Sequence, residues 1–278
     1  VDYASVLING QAGNYSLLSS PEELCKRLSD PAADNPEEIF SLVYDKTRSN
    51  NSVSHNEVAA LYCTWPVDKT LSLGDITNAP FRLLASTVRS LYPDAGDARR
   101  TAFFYEADQT HEVAGKDYAI PYKFRNAIFV NDASSSSGLS FVSIDANYVY
   151  WRLADIYLLR AECYAKLGET GNATSDLNKI RERAGATAYP ASGESDLKEA
   201  IFHEREREFV LENDSRYYDI LRNGYQTTKL QGKFQQLTAT DIAGGALNLP
   251  VPSAAFQDKT GKIINGSILQ RKYWVSYF

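Results

Sequence analysis

YLLRAECYAKLGETGNATSDLNKIRERAG (Tyr157–Gly185) reads as two helices and a tight turn. Trp151, Ala154, Leu158, Ala161 and Ala165 recur at three- and four-residue steps, with Tyr150, Leu153, Tyr157 and Tyr164 beside them. That period is helical, and the stripe is wide enough to be buried on two sides. Gly168 stands where a left-handed helix cap is needed. A second helix is predicted from Asn172 to Ala184, stopped by Gly185.

Outward from this stretch, SDLKEA has Asp196 and Glu199 at capping-box spacing. It opens a third helix reaching about Glu212, and RYYDILRNG continues as a shorter helix to Gly224. Upstream, SSPEEL predicts a helix capped by Ser20, with Pro21 in its first position and Glu22 and Glu23 at its positive end. NPEEIFSLVYD (Asn35–Asp45) reads as a turn feeding a strand. The next hundred residues are loop-rich, and NDASSSSGLS (Asn131–Ser140) has the composition of a flexible surface loop. Three regions are therefore expected: a loop-rich mixed region over 1–146, a helical scaffold over 147–224, and a C-terminal loop region over 225–278. The first carries the candidate ligand face.

The 278 residues suffice for a substantial core, and 44% apolar with 23% charged is ordinary for a globular protein. A net charge of −6 argues against nucleic acid, which selects basic faces. No apolar run is long enough to span a bilayer as a helix. Cys25, Cys63 and Cys163 are too far apart for a metal or disulfide rhythm, and Cys163, inside a helix, is expected to pack as a small apolar side chain. The opening VDYASVLING looks like the end of a helix, so the chain is expected to be part of a longer protein.

Tyr157, Ala161, Tyr164, Ala173 and Leu177 fall at the offsets of a tetratricopeptide helical pair, including twelve residues between the two close-contact alanines. A single such pair cannot bury its own faces, and no second copy is recognisable. A peptide-binding array is thus the weaker interpretation. HEREREF (His203–Phe209) lacks the second histidine of a zinc motif, because position 207 is Arg, so no metal and no cofactor are expected.

Glu204, Arg205, Glu208 and Glu212 share one helix face, and Arg152, Arg181, Arg183, Arg216, Asp219 and Arg222 lie on helices that should pack nearby. Two carboxyls could hydrolyse a glycoside. Arginine neighbours, however, lower a carboxyl's pKa and remove the protonated acid that hydrolysis needs. The expectation is a structural ion-pair lattice and no catalytic residue. Ligand contacts are sought where aromatics interrupt polar, non-periodic sequence. These are Tyr62 and Trp65 beside Asn51, Asn56 and Asp68, then Tyr105 in FFYEADQ, and Tyr118 and Tyr122 in KDYAIPYKFR. Rings at such places can stack on the C–H faces of sugars.

RLADIYLLRAECYAKLG, LNKIRERAG, IFHEREREFVLEN and RYYDILRNG, in that order, resemble the SusD/RagB outer-membrane nutrient-binding proteins. LNLPVPSAAF and NGSILQRKYW are similar to that family's C-terminal pattern, in which Trp274 would be structural. The resemblance implies a mainly α fold: a tetratricopeptide-like scaffold (a SusD-like α-α superhelix) with a large loop-rich, partly β ligand-binding region. It also implies that this chain matches the C-terminal half to two-thirds of a member. By the same resemblance the protein would be an outward-facing lipoprotein of the outer membrane, held by a lipid anchor outside this chain. It would capture an oligosaccharide or polysaccharide and pass it to a SusC-like TonB-dependent transporter. Some relatives are associated with peptides. An adaptor that binds only protein and a glycosidase are the two rival functions.

Overall fold

The structure, a computed structural model, describes residues 1–30, 32–44, 81–134, 138–212 and 215–277. It divides into two compact units, Val1–Arg216 and Tyr217–Phe278. In the first unit the chain runs α1 (Asp2–Ile8), α2 (Pro21–Leu28), β1 (Glu38–Leu42), β2 (Leu83–Leu84), α3 (Ala85–Leu91), α4 (Arg99–Phe103) and β3 (Phe104–Tyr105). It continues through β4 (Glu112–Val113), β5 (Lys116–Pro121), β6 (Ala127–Asn131), β7 (Leu139–Ile144) and β8 (Tyr148–Arg152). Three long helices follow: α5 (Leu153–Leu167), α6 (Thr170–Ala184) and α7 (Leu197–Phe209). The fold is mainly α, as the sequence predicts, with solved structures of the same fold described below.

The α5–α6 hairpin closes at Gly168, whose φ of 82° only glycine adopts without strain, and α6 ends at Gly185 with φ of 69°. Ala161 and Ala173 are fully buried at the helix crossing, where side chains this small let the two backbones approach. Leu158, Leu177, Ile180, Ala200 and Ile201 complete that core, with Tyr157 and Tyr164 partly buried against it. Asp196 caps α7 by accepting the Glu199 amide at 2.9 Å. A second apolar cluster joins Leu24, Cys25 and Leu28 of α2 to Phe103, Phe104, Ala119, Phe124 and Ile144.

Three expectations are corrected. The first long helix starts at Leu153, because residues 148–152 form β8, antiparallel to β1. Tyr148, Val149, Tyr150 and Trp151 are β-branched or aromatic and suit a pleated surface, while a period of 3.6 runs across the strand–helix junction by coincidence. Cys163 is exposed; it sits about 200° around α5 from its buried neighbours Ala161 and Ala165. Finally, α7 stops at Phe209, short of Glu212. Lys123 Nζ donates to the carbonyls of Glu208 (2.7 Å) and Val210 (3.1 Å), and Arg152 donates to the Glu208 carbonyl at 3.0 Å. These cations satisfy the helix's last acceptors. The chain then turns through Leu211, at a left-handed φ of 68° unusual for a leucine.

Strand β5 is the spine of a small antiparallel sheet, pairing with β2, β3 and β4. Strands β6 and β7 pair with each other.

The second unit takes up most of α8 (Ser215–Asn223), then α9 (Gln226–Lys229) and α10 (Ala239–Ala243), the last closed by a reciprocal Thr238–Asp241 capping box. The side-chain amide of Gln270 brackets Val251, accepting from its N–H at 2.9 Å and donating to its C=O at 2.8 Å. Trp274 Nε1 donates to the carbonyls of Gly245 and Asn248. Among the described residues no helix is long and apolar enough to cross a membrane.

Candidate functional site

On β5 the side chains alternate. Ala119 and Pro121 are buried on one face, with Ala119 in the apolar core; Tyr118, Ile120 and Tyr122 fall on the other, where Ile120 is buried too and the two tyrosines are half-buried. Tyr105 on β3 is directly opposite Ile120, and Leu84 on β2 is opposite Tyr118. The register therefore gathers Tyr105, Tyr118 and Tyr122 on one side of one sheet, all half-buried. The Tyr105 and Tyr122 rings meet edge to face at 5.4 Å. Arg125 lies 4.2 Å from the Tyr122 ring centre and Arg82 lies 5.6 Å from that of Tyr118. Arg125 is itself fixed by a bidentate pair to Glu22 (2.6 and 2.8 Å) and a bond to the Ala102 carbonyl at 2.9 Å. These are half-buried rings held in place by their neighbours, and aromatic rings can stack on the C–H faces of sugars. Tyr62, Trp65 and Asp68 lie outside the described residues.

The same unit holds a buried charge lattice. Five carboxylates (Glu37, Asp97, Glu204, Glu208, Glu212) meet five cations (Arg99, Lys123, Arg152, Arg181, Arg183), and none of these side chains is more than 5% exposed. Arg152 reaches Glu37 at 2.6 Å, Glu208 at 2.7 Å and Glu212 at 2.8 Å. Arg99 reaches Asp97 and Glu204 at 2.7 Å and Glu208 at 3.2 Å. Arg183 bridges Glu37 and Glu208. Burial opposes ionisation of Glu208, but Arg183, Arg152, Arg99 and Lys123 outweigh it and hold the carboxyl well below the usual range. Arg152 and Lys123 likewise outweigh burial at Glu212. Both stay ionised, so neither serves as a general acid near neutrality.

The sequence-read ion-pair residues distribute unevenly. Arg152, Arg183, Glu204 and Glu208 sit in the lattice, and Arg205 pairs with Asp155 at 2.6 Å beside it. Arg216 lies apart, in a half-exposed pair with Glu206. Asp219 and Arg222 pair at 2.7 Å within α8 of the second unit. Sequence reasoning missed Glu37, Asp97, Arg99 and Lys123, since they lie outside the helical pattern that marks the others. A cavity of about 250 Å³ adjoins the lattice, lined by charged residues such as Asp97, Arg181 and Glu204 and by the apolar Pro93, Ala186 and Ala191. Among the described residues no group of His, Cys, Asp and Glu could hold a metal ion.

The lattice also positions the tyrosines. Arg99 opens α4, which leads directly into β3 and Tyr105, and Lys123 follows Tyr122. Both ends of the face are thus tied to buried charges, which limits how far its rings can shift.

A family model described as the SusD family matches residues 105–243, half of the chain. A SusD-like protein of Formosa agariphila is 36% identical over 117 residues, covering 40% of this chain and 22% of that protein. The starch-binding protein SusD of Bacteroides thetaiotaomicron is 32% identical over 111 residues, 39% of this chain and 19% of that protein. Among solved structures, a SusD homolog from Bacteroides thetaiotaomicron superposes with a TM-score of 0.72 at 24% identity, over 98% of this chain and 53% of that one. Surface glycan-binding protein A from the same organism, in complex with laminarihexaose, gives 0.64 at 20% identity, over 98% and 58%. The chain thus spans about half the length of these solved structures. With the matched segment running from the tyrosine sheet through the helical hairpin and into α10, this chain belongs to the SusD family.

Proposed function

We propose that the protein binds glycans at the cell surface, capturing an oligosaccharide on its sheet face and delivering it to a TonB-dependent transporter of the outer membrane. The observation that carries this reading is the convergence of the half-buried Tyr105, Tyr118 and Tyr122 on one side of one sheet. Family membership supports it, since relatives are named for binding starch and glycans and one is solved with laminarihexaose. The neutral stacking rings suit an uncharged sugar better than a charged peptide.

Binding without hydrolysis is the expected mode. The carboxyls of Glu208 and Glu212 are held ionised by cations, whereas glycoside cleavage needs one protonated carboxyl. Affinity electrophoresis through gels containing starch, laminarin, xylan and pectin should retard the protein in at least one. Reducing-sugar release from the same panel should stay at background. Unretarded migration in every gel would contradict glycan binding, and sustained release would make the protein an enzyme.

A further inference from the structure

The β1–β8 pair carries a second group of rings that the tyrosine face does not include. Phe40 is 47% exposed, Tyr150 37% and Trp151 52%. Phe40 and Trp151 are direct cross-strand partners with ring centres 5.5 Å apart. The register then slips twice, leaving Ile39 without an opposite residue on β1 and Tyr150 without one on β8. In regular pleating Tyr150 would face away from Trp151. The bulge instead turns it to the same side, 5.6 Å from Phe40 and 6.4 Å from Trp151, with Tyr148 edge-on to it at 4.6 Å. Bulges re-aim side chains and are frequent at sheet edges and next to active sites. Phe40 and Trp151 stay about half exposed here, while Val149 and Arg152 on the same strand are buried.

We infer that Phe40, Tyr150 and Trp151 form a second carbohydrate-stacking subsite, one that takes neutral pyranose rings of a chain longer than the tyrosine face alone can hold. The inference rests on the glycan-binding reading above. Three observations select this occupant. The patch is built mainly of aromatic rings, two of which have polar tips that can hydrogen-bond hydroxyls. Its area, with the adjoining Leu42 and Val43, is roughly 500 Å² by side-chain size and exposure, short of the about 800 Å² that each partner contributes to a stable protein interface. Besides buried Arg152, the charged residue carried by β1 and β8 is the acid Glu38, on a chain of net charge −6, which disfavours anionic membranes and acidic glycans. The rings also stand on a rigid base, since Arg152 ends β8 and bonds Glu37, which precedes β1, within the buried lattice.

The test uses the full chain and the neutral oligosaccharides of the panel, laminarihexaose included, in titration calorimetry. Trp151→Ala should weaken the best-bound hexasaccharide at least tenfold while melting within a few degrees of the parent, and Trp151→Phe should restore most of the affinity. Saturating hexasaccharide should also protect Trp151 from N-bromosuccinimide oxidation, read by peptide mass spectrometry. Unchanged affinity in Trp151→Ala, or unprotected Trp151 in the wild type, overturns the subsite and leaves the glycan-binding reading standing. So does binding confined to acidic glycans. A large drop in melting temperature for Trp151→Ala also overturns it, by showing that the ring packs against protein. Failure of the wild type to bind any glycan overturns both.

Discussion

The guanidinium of Arg152 and the carboxylate of Glu208 meet at 2.7 Å with neither side chain more than 1% exposed. Arg152 comes from the strand–helix junction and Glu208 from the end of α7, so one buried pair joins the sheet region to the helical scaffold. Glu208 has two further arginines on it, Arg99 and Arg183. Removing one member of such a set leaves the others charged and uncompensated. Glu208→Ala should therefore cost about 3–5 kcal/mol in urea denaturation. Arg216→Ala, which breaks only the half-exposed Glu206 pair, should cost within about 1 kcal/mol. Equal stability of the two variants would remove the lattice from its structural role.

The same groups set an acid limit. Glu208 and Glu212 lie below the ordinary carboxylate range in the folded protein, because buried cations outweigh the cost of burial. Glu194, also partly buried, is lowered by His203, Arg181 and Arg207. In the unfolded chain these carboxyls return to about 4.3. Below that value the unfolded state binds more protons than the folded one, so stability falls as pH falls. The melting temperature should hold from pH 7 to about 5 and drop steeply toward pH 3. A flat profile down to pH 3 would show that the lattice contributes no such linkage.

Two thiols should behave oppositely. Cys25 is buried, and loss of hydration pushes its pKa up to about 12, against the smaller opposing pull of Arg125 and Lys123. Cys163 is exposed on α5. Iodoacetamide under native conditions should label the Cys163 peptide and spare the Cys25 peptide until denaturant is added. Rapid native labelling of Cys25 would contradict the packing of α2 on the second apolar cluster.

The two helix-ending glycines should not be equivalent. A Cβ on Gly168 would meet nothing within 4 Å, so Gly168→Ala carries only the left-handed backbone penalty of about 1–2 kcal/mol. At Gly185 a Cβ would sit 3.0 Å from the carbonyl oxygen of Gly96, adding a clash with backbone to the same penalty. Gly185→Ala should be the more destabilising of the two in chemical denaturation. The reverse order would mean that the segment around Gly96 yields easily.

The helical hairpin is legible in the sequence because its signals are local: a 3.6-residue period, two small residues at the crossing, and a glycine at each end. The start of α5 is not, because Trp151 satisfies both a helical stripe and a β-strand, and only pairing with β1 decides between them. The spacing of Arg152, Arg183, Glu204 and Glu208 marks them as ion-pair formers. Their partners Glu37 and Lys123 lie 85 or more residues away in loop-like sequence, and no local pattern points to them. Arg216 reads like the others in sequence, yet its position after the α7 turn takes it to the surface. The alternation of Tyr118, Ile120 and Tyr122 was a strand signal in plain view. Which rings share a face with Tyr105 depended on register, which the sequence does not state.

Glycan is expected on the tyrosine face and not on the buried lattice. Titration calorimetry of Tyr118→Ala/Tyr122→Ala against the polysaccharide that retards the parent chain tests this most directly, with the melting temperature of each sample measured alongside. The expected result is at least a tenfold loss of affinity with melting within a few degrees of the parent, since half-buried anchor rings outside the apolar core contribute more to binding than to stability. Parental affinity in the double variant, with its fold intact, would contradict the claim.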